Sequence, residues 1–350
     1  MRIDLIVPTP FDILTGSNQY DRHIAMQWRK AGHAVEVHAL PGRNPVPDEQ
    51  ALAAARELWS RLSAASVIVI DNLVLAAFDQ IGEALAARKV IVLDHHPTGL
   101  ETGLDPDVSA ALIETERRML ALAYNVVVTS AITAARIIAD FGVSADRIAI
   151  IEPGTEAAPR SYGSGKATIN ILSIGSLIPR KGHDVLLRAL ARLFDLDWRL
   201  TIAGSDRLDP VTAHGLHALP EQLGIAERVR FCGEMHGEAL AALWREADLF
   251  ALATRYEGYG MVIAEALKRG LPVAVGNGGA AAALVTPECG VVCPVGDVDQ
   301  LSKALRRVIF DDTLRHAMAD ASFAIGQTLP DWPEQAQKFA ARLAVQTRNI

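Results

Sequence analysis

The pattern that most restricts the fold of this chain occurs twice. Short, uninterrupted Val/Ile/Leu segments alternate with stretches of helical spacing, the alternation breaks, and then it begins again. In the first run, strands are expected at 3–7, 35–40, 67–70, 90–93, 125–129 and 148–151, and helices at 21–30, 51–63, 73–87, 109–123 and 131–141. Apolar runs this continuous imply strands buried on both faces, hence a parallel sheet covered by helices. A Pro/Gly/Ser-rich stretch from Glu152 to Lys166 marks the break, and strands are then expected at 170–174, 199–203, 229–232, 249–253, 272–274 and 291–294. A last helix, 332–345, follows Pro330 and includes Pro333 in its first turn. The expected fold is α/β: two Rossmann-like, doubly wound parallel-sheet domains, 1–157 and 158–329, facing across a cleft at their carboxyl strand edges, where such sheets bind ligands. Residues 330–350 are expected to form a helix that packs back on the first domain.

A chain of 350 residues suits two domains of ordinary size. The net charge of −7 resides in the first 157 residues, where 20 Asp and Glu outnumber 13 Lys and Arg. That balance argues against a nucleic-acid partner, which needs a basic face, and against docking on anionic lipid. No apolar run approaches the roughly 20 residues of a membrane-spanning helix. The opening Met1-Arg2-Ile3-Asp4-Leu5-Ile6-Val7-Pro8 lacks the features of a signal peptide, so a cytoplasmic location is expected. Cys232, Cys289 and Cys293 have no CxxC spacing and read as small buried or half-buried thiols rather than metal or redox ligands.

Two segments carry chemistry. Tyr256-Glu257-Gly258-Tyr259-Gly260-Met261 follows an expected strand and opens an expected helix that contains Glu265. Gly258 and Gly260 let the backbone turn sharply and approach a ligand, and the helix start offers N–H groups and a positive dipole end to a diphosphate. Glu257 in the loop and Glu265 in the helix can each accept hydrogen bonds from sugar hydroxyls. After the first strand of the second domain, Arg180-Lys181-Gly182 supplies fixed positive charge. A departing nucleoside diphosphate gains negative charge, which such cations stabilise without a metal ion.

These segments make the chain resemble glycosyltransferase family 4, a group of retaining enzymes of the GT-B fold. Glu257 to Glu265 fits the family's EX7E motif and Arg180-Lys181-Gly182 its basic segment. In the first half, Thr15-Gly16-Ser17-Asn18-Gln19-Tyr20 fits the glycine-rich loop, Leu93-Asp94-His95-His96-Pro97 the strand-then-histidine segment, and Glu152-Pro153-Gly154-Thr155 the interdomain crossing. The resemblance implies hexose transfer from a UDP- or GDP-sugar to an acceptor hydroxyl with retained configuration. Arg180 and Lys181 would bind the donor diphosphate, and Gly260 and Met261 would offer N–H groups beside Gly258 and Tyr259. Glu257 would hold the hexose, Glu265 the ribose, Gly16 and Ser17 the phosphates, and His95 would lie near the anomeric carbon. No metal and no cofactor other than the donor is implied.

The chain departs from the family pattern in two places: Ser17 replaces a second glycine, and Ala282 stands where a glutamate is usual. Asp195-Leu196-Asp197 and Asp105-Pro106-Asp107 mimic the DxD of metal-dependent transferases, but the first falls at the wrong edge of its sheet and the second in a turn. The expected acceptor is a small polar molecule. The alternatives are a lipid- or polysaccharide-directed transferase of the same family and a non-catalytic nucleotide-sugar-binding protein.

Overall fold

A computed structural model describes residues 1–348. The chain divides into two compact units: residues 1–154 together with the segment from Pro330 onward, and Thr155–Leu329.

The first unit is built on β1 (Arg2–Pro8), β2 (Ala34–Leu40), β3 (Val67–Asp71), β4 (Ile91–Asp94), β5 (Asn125–Val128) and β6 (Ile148–Ile150), in the order β2-β1-β3-β4-β5-β6. Every pairing is parallel. The central strands β3 and β4 are buried at every residue, whereas edge strand β2 is mostly half-buried or exposed. This explains why the central strands read as solid Val/Ile runs. Ile6, Ile70, Val92 and Val126 meet Phe78 and Phe141 in the core. The helix Trp332–Arg348 returns to this unit: Trp28 Nε1 donates to the Ala336 carbonyl at 3.1 Å, and the Trp28 and Phe339 rings meet edge to face at 5.0 Å. Gly154 admits the closeness, since a Cβ there would collide with the Trp332 backbone.

Two local expectations change. The helix expected to begin at Asp21 begins at Gly16, because Thr15 caps it by accepting from Asn18 N at 3.1 Å. Gly16 and Ser17 therefore form a helical first turn. The single helix expected over 73–87 is broken into Asn72–Leu75, a 3-10 stretch Ala76–Ile81, and Gly82–Ala87. At the last break Gly82 lies so close to Leu122 that a Cβ would sit 2.8 Å from its Cδ1.

The second unit repeats the plan with β7 (Ile169–Ile174), β8 (Trp198–Ala203), β9 (Val229–Phe231), β10 (Leu249–Leu252), β11 (Val273–Gly276) and β12 (Gly290–Cys293), all parallel, in the order β12-β11-β10-β7-β8-β9. Leu186, Leu190, Trp198 and Leu305 pack in one cluster, and Trp244, Phe250, Ile263 and Leu267 in another. Burying each such side chain contributes roughly 1.5–3 kcal/mol. The strand order reverses between β7 and β10 here, and between β1 and β3 in the first unit. Such switch points leave a crevice at the carboxyl ends of the strands.

Candidate active site

In the second unit the loops after β7 and β10 meet at the switch point. The first runs through a single turn, Pro179–Lys181, to Gly182 at φ +66° and the helix His183–Ala191. A Cβ on Gly182 would collide with the Ala253 carbonyl, so glycine lets this loop close on the end of β10. Arg255 N donates to the Arg180 carbonyl at 2.7 Å, and Arg180 Nη1 donates to the Tyr256 carbonyl at 3.1 Å.

This lacing gathers the predicted charges. Lys181 Nζ donates to Glu257 Oε1 at 2.6 Å, Arg180 Nη1 lies 3.8 Å from Glu257 Oε2, and the Thr254 hydroxyl is 3.0 Å from Glu257 Oε1. Glu257 is 6 % exposed. Burial pushes its carboxyl up, but the charges of Lys181 and Arg180 and the hydrogen bonds from Lys181 and Thr254 outweigh it and hold Glu257 below the usual carboxylate range. Its backbone is pinned as well, by Glu257 N donating to Gly278 O at 3.1 Å and Ala280 N to Glu257 O at 2.8 Å. Gly258 and Tyr259 then lead to Gly260, at φ +100°, and the helix Met261–Lys268, which starts with no side-chain cap. The helix His183–Ala191 also starts without one.

The sequence reading missed the clamp under this cluster. Arg255 holds Asp184 through two hydrogen bonds, at 3.0 and 2.8 Å. Burial raises the Asp184 carboxyl, and Arg255 brings it below its ordinary range. His183 is buried and its Nε2 lies 3.1 Å from the Gly175 carbonyl; burial lowers its pKa to about 4, so the ring is a neutral donor that ties the loop down. Arg255, Asp184 and His183 lie beside the motif residues without a role of their own in the sequence, and the strand order brings them together. Glu265 stands apart from the cluster, half-buried, with Arg269 and Glu156 as its charged neighbours; burial raises its pKa.

The first unit places its candidates at its own carboxyl edge. Gly16 and Ser17 open the helix Gly16–Lys30, with the Thr15 and Ser17 hydroxyls 3.1 Å apart. His95, directly after β4, sets Nε2 3.0 Å from Asp21 Oδ1 of that helix and 3.9 Å from Asp71 Oδ2 at the end of β3. The Tyr20 ring meets His95 edge-on at 5.1 Å, and Tyr20 donates to the Ile151 carbonyl. Asp21 and Asp71 are fully buried, and burial drives each to about 7; the Asp71 hydrogen bond partly offsets this for Asp21, while the Asp21 charge adds to it for Asp71. Asp94 is raised by burial and by Glu116 and Asp71. Burial lowers His95.

Three of the four DxD aspartates are engaged within the chain. Asp105 caps the helix Pro106–Leu122, Asp195 pairs with Arg306 at 2.6 Å, and Asp197 accepts from Thr168. Among the described residues two groupings have potential ligand atoms within 4.8 Å of one another, Asp4 with Glu36 and His38, and Asp21 with Asp71 and His95. No helix among them is long and apolar enough to cross a membrane.

Residues 155–324 match the family model described as glycosyl transferases group 1. The chain is 28% identical over 264 residues to a D-inositol 3-phosphate glycosyltransferase of Corynebacterium aurimucosum, covering 70% of this chain and 60% of that protein. It is 30% identical over 217 residues to a GDP-mannose-dependent monoacylated alpha-(1-6)-phosphatidylinositol monomannoside mannosyltransferase of Corynebacterium glutamicum, covering 59% of this chain and 55% of that one. The chain thus spans about half to three-fifths of the length of the curated relatives it matches. In structure it is similar to a sucrose-phosphate synthase from Thermosynechococcus elongatus, with a TM-score of 0.83 at 18% identity over 100% of both chains. The fold is that of the GT-B glycosyltransferases, and residues 155–324, within the second unit, are similar to the glycosyl transferases group 1 family.

Proposed function

We propose that this protein is a retaining hexosyltransferase that takes its sugar from a UDP- or GDP-linked donor and needs no metal ion. The observation that carries the reading is the Arg180–Lys181–Glu257 cluster at the switch point of the second sheet. Two cations and an uncapped helix start form a fixed positive field for a diphosphate. Glu257, held ionised, is an acceptor for hexose hydroxyls, and Lys181 exchanges part of its bond to Glu257 for a phosphate oxygen when the donor binds. Met261 and Gly260 offer backbone N–H groups to the same ligand, while Glu265 receives the ribose; in the first unit Gly16 and Ser17 offer the N–H groups of their helix start. His95 steadies the transferred sugar. Attack comes from the face that the diphosphate leaves, and a phosphate oxygen takes the acceptor proton.

The acceptor is a small polar molecule, in keeping with the acidic first unit. Relatives named for inositol phosphate support this choice, and those named for phosphatidylinositol mannoside support the lipid-directed alternative. The test is incubation with UDP- and GDP-hexoses and inositol phosphates in EDTA, following nucleoside diphosphate release and the anomeric proton signal of the product. Release coupled to a product with the donor's anomeric configuration is expected. An inverted product, or turnover only on lipid vesicles, contradicts the mechanism or the acceptor respectively.

A further inference from the structure

The cluster at the carboxyl edge of the first sheet contains more than the histidine the motif singles out. Asp21 comes from a helix, Asp71 from the end of β3 and His95 from the loop after β4, and no motif links the three. Asp21 and Asp71 have no solvent exposure, whereas the His95 side chain keeps 13 % of its surface. One oxygen of each carboxyl is already used: Asp21 Oδ1 faces His95 Nε2 at 3.0 Å, and Asp71 Oδ1 accepts from Leu73 N at 2.7 Å. The other oxygens, Asp21 Oδ2 and Asp71 Oδ2, are buried with no partner of their own.

Asp21 and Asp71 bring carboxyl oxygens within 4.8 Å of each other, and two carboxylates this close and away from water do not both ionise, because like charges in a low dielectric repel too strongly. One proton between the pair removes a charge and satisfies the orphaned oxygens. The pair then keeps one negative charge, to which the imidazole donates.

We propose that Asp21 and Asp71 form a proton-sharing pair that positions His95, fixing its ring with Nε2–H directed at Asp21 and leaving Nδ1 as a hydrogen-bond acceptor for a sugar or acceptor hydroxyl. This deepens the hexosyltransferase reading and rests on it for the ligand, but the state of the ring stands independently of turnover. Asp21 and Asp71 are positioning residues. The other groups around the ring fit the assignment: the Tyr20 and His95 rings meet edge to face, the Tyr20 hydroxyl donates to the Ile151 carbonyl, and Asp94 and Glu116 both have raised pKa values. An uncharged ring against a singly charged pair therefore leaves one net negative charge in the pocket. A second ring proton would add a buried cation; burial opposes it and outweighs the Asp71 charge that favours it.

The test is proton–nitrogen NMR of the full chain labelled on histidine nitrogens, with His95 assigned by its loss in His95→Gln. At neutral pH the expected His95 ring is protonated on Nε2 only, with a slowly exchanging, hydrogen-bonded Nε2 proton. Asp21→Ala should abolish that proton and lower kcat by roughly 10- to 100-fold, as removal of an orienting partner does, with donor KM changed much less. Asp71→Asn, whose amide can supply the hydrogen bond of the shared proton, should keep both the ring signal and most of the activity. If Asp21→Ala does not fold, the wild-type and Asp71→Asn spectra still decide. A ring protonated on Nδ1, a doubly protonated ring, or an Nε2 stripped of its proton until EDTA is added overturns the proposal, as does loss of the signal in Asp71→Asn. A wild-type chain that turns over no nucleotide-sugar, yet shows the expected ring, removes the functional reading and leaves the positioning pair standing.

Discussion

At the carboxyl edge of the second sheet, the buried Glu257 has Lys181 and Arg180 within reach and titrates low. At the corresponding edge of the first sheet, Asp21, Asp71 and Asp94 are just as buried but have one another and an uncharged His95 as neighbours, and they titrate high. The two sheets have the same parallel architecture, so topology decides where side chains gather and the neighbouring charges decide what they do. One edge presents a positive field with an ionised acceptor inside it. The other raises its carboxyls above their ordinary range and can hold or share protons.

The largest effect expected from breaking this contrast is at Lys181. Lys181→Ala leaves Glu257 buried with its shortest ion-pair partner gone, a change that costs about 3–5 kcal/mol when a buried pair is cut. Hydrogen exchange across the second unit should report the loss, with the first unit unaffected. A change below about 1 kcal/mol would mean that the pair behaves as a surface one.

Next comes pH, which should move the two units in opposite directions. His183 has a folded pKa lowered to about 4, so the second unit loses stability as pH falls from its unfolded value near 6.5 toward 4, by on the order of 3 kcal/mol. Glu257, depressed in the folded state, extends the loss as pH falls further. Asp21 and Asp71 have folded values raised to about 7, so the folded first unit holds more protons than the unfolded chain between pH 4 and 7 and gains stability as pH falls through that range. His95, lowered, offsets part of this gain. Hydrogen exchange corrected for intrinsic rates at pH 5 and 7 separates the units, and parallel behaviour of both would contradict the charge assignments.

These opposing edges were not equally readable from the chain. The central strands announced themselves as Val/Ile/Leu runs because they are buried on both faces, as in β3, β4, β5 and β10. Glu257, Arg180 and Lys181 could be paired only through motifs lying 76 residues apart, and the structure joins Lys181 to Glu257 directly. Asp21 sits in a polar-looking stretch and Asp71 at the end of a strand, where acids are usually solvated, so nothing local marks them as buried. Their burial follows from a strand order that no single segment encodes. The same holds for Arg255 and Asp184. The close approach of Gly82 to Leu122, where the helix expected over 73–87 resumes after its break, is likewise a long-range contact.

A smaller effect is expected at Glu265, which stands apart from the charged cluster. Glu265→Gln should weaken donor binding by about 1–3 kcal/mol, the value of a hydrogen bond to a charged group, with little change in stability. An unchanged dissociation constant removes Glu265 from the site. The smallest lies at Asp195: Asp195→Asn cuts an exposed pair with Arg306 and should leave both stability and activity essentially unchanged. Loss of activity there would revive the DxD reading.

The central claim is that the positive field of the second unit holds a nucleotide-sugar without a metal. Calorimetric titration of UDP- and GDP-hexoses into the full chain in EDTA tests it most directly, with Arg180→Ala run alongside. Saturable binding of one donor class in EDTA is expected, weakened at least tenfold, about 1.4 kcal/mol, in Arg180→Ala. Binding that appears only when Mg²⁺ or Mn²⁺ is added, or that Arg180→Ala leaves untouched, would contradict it.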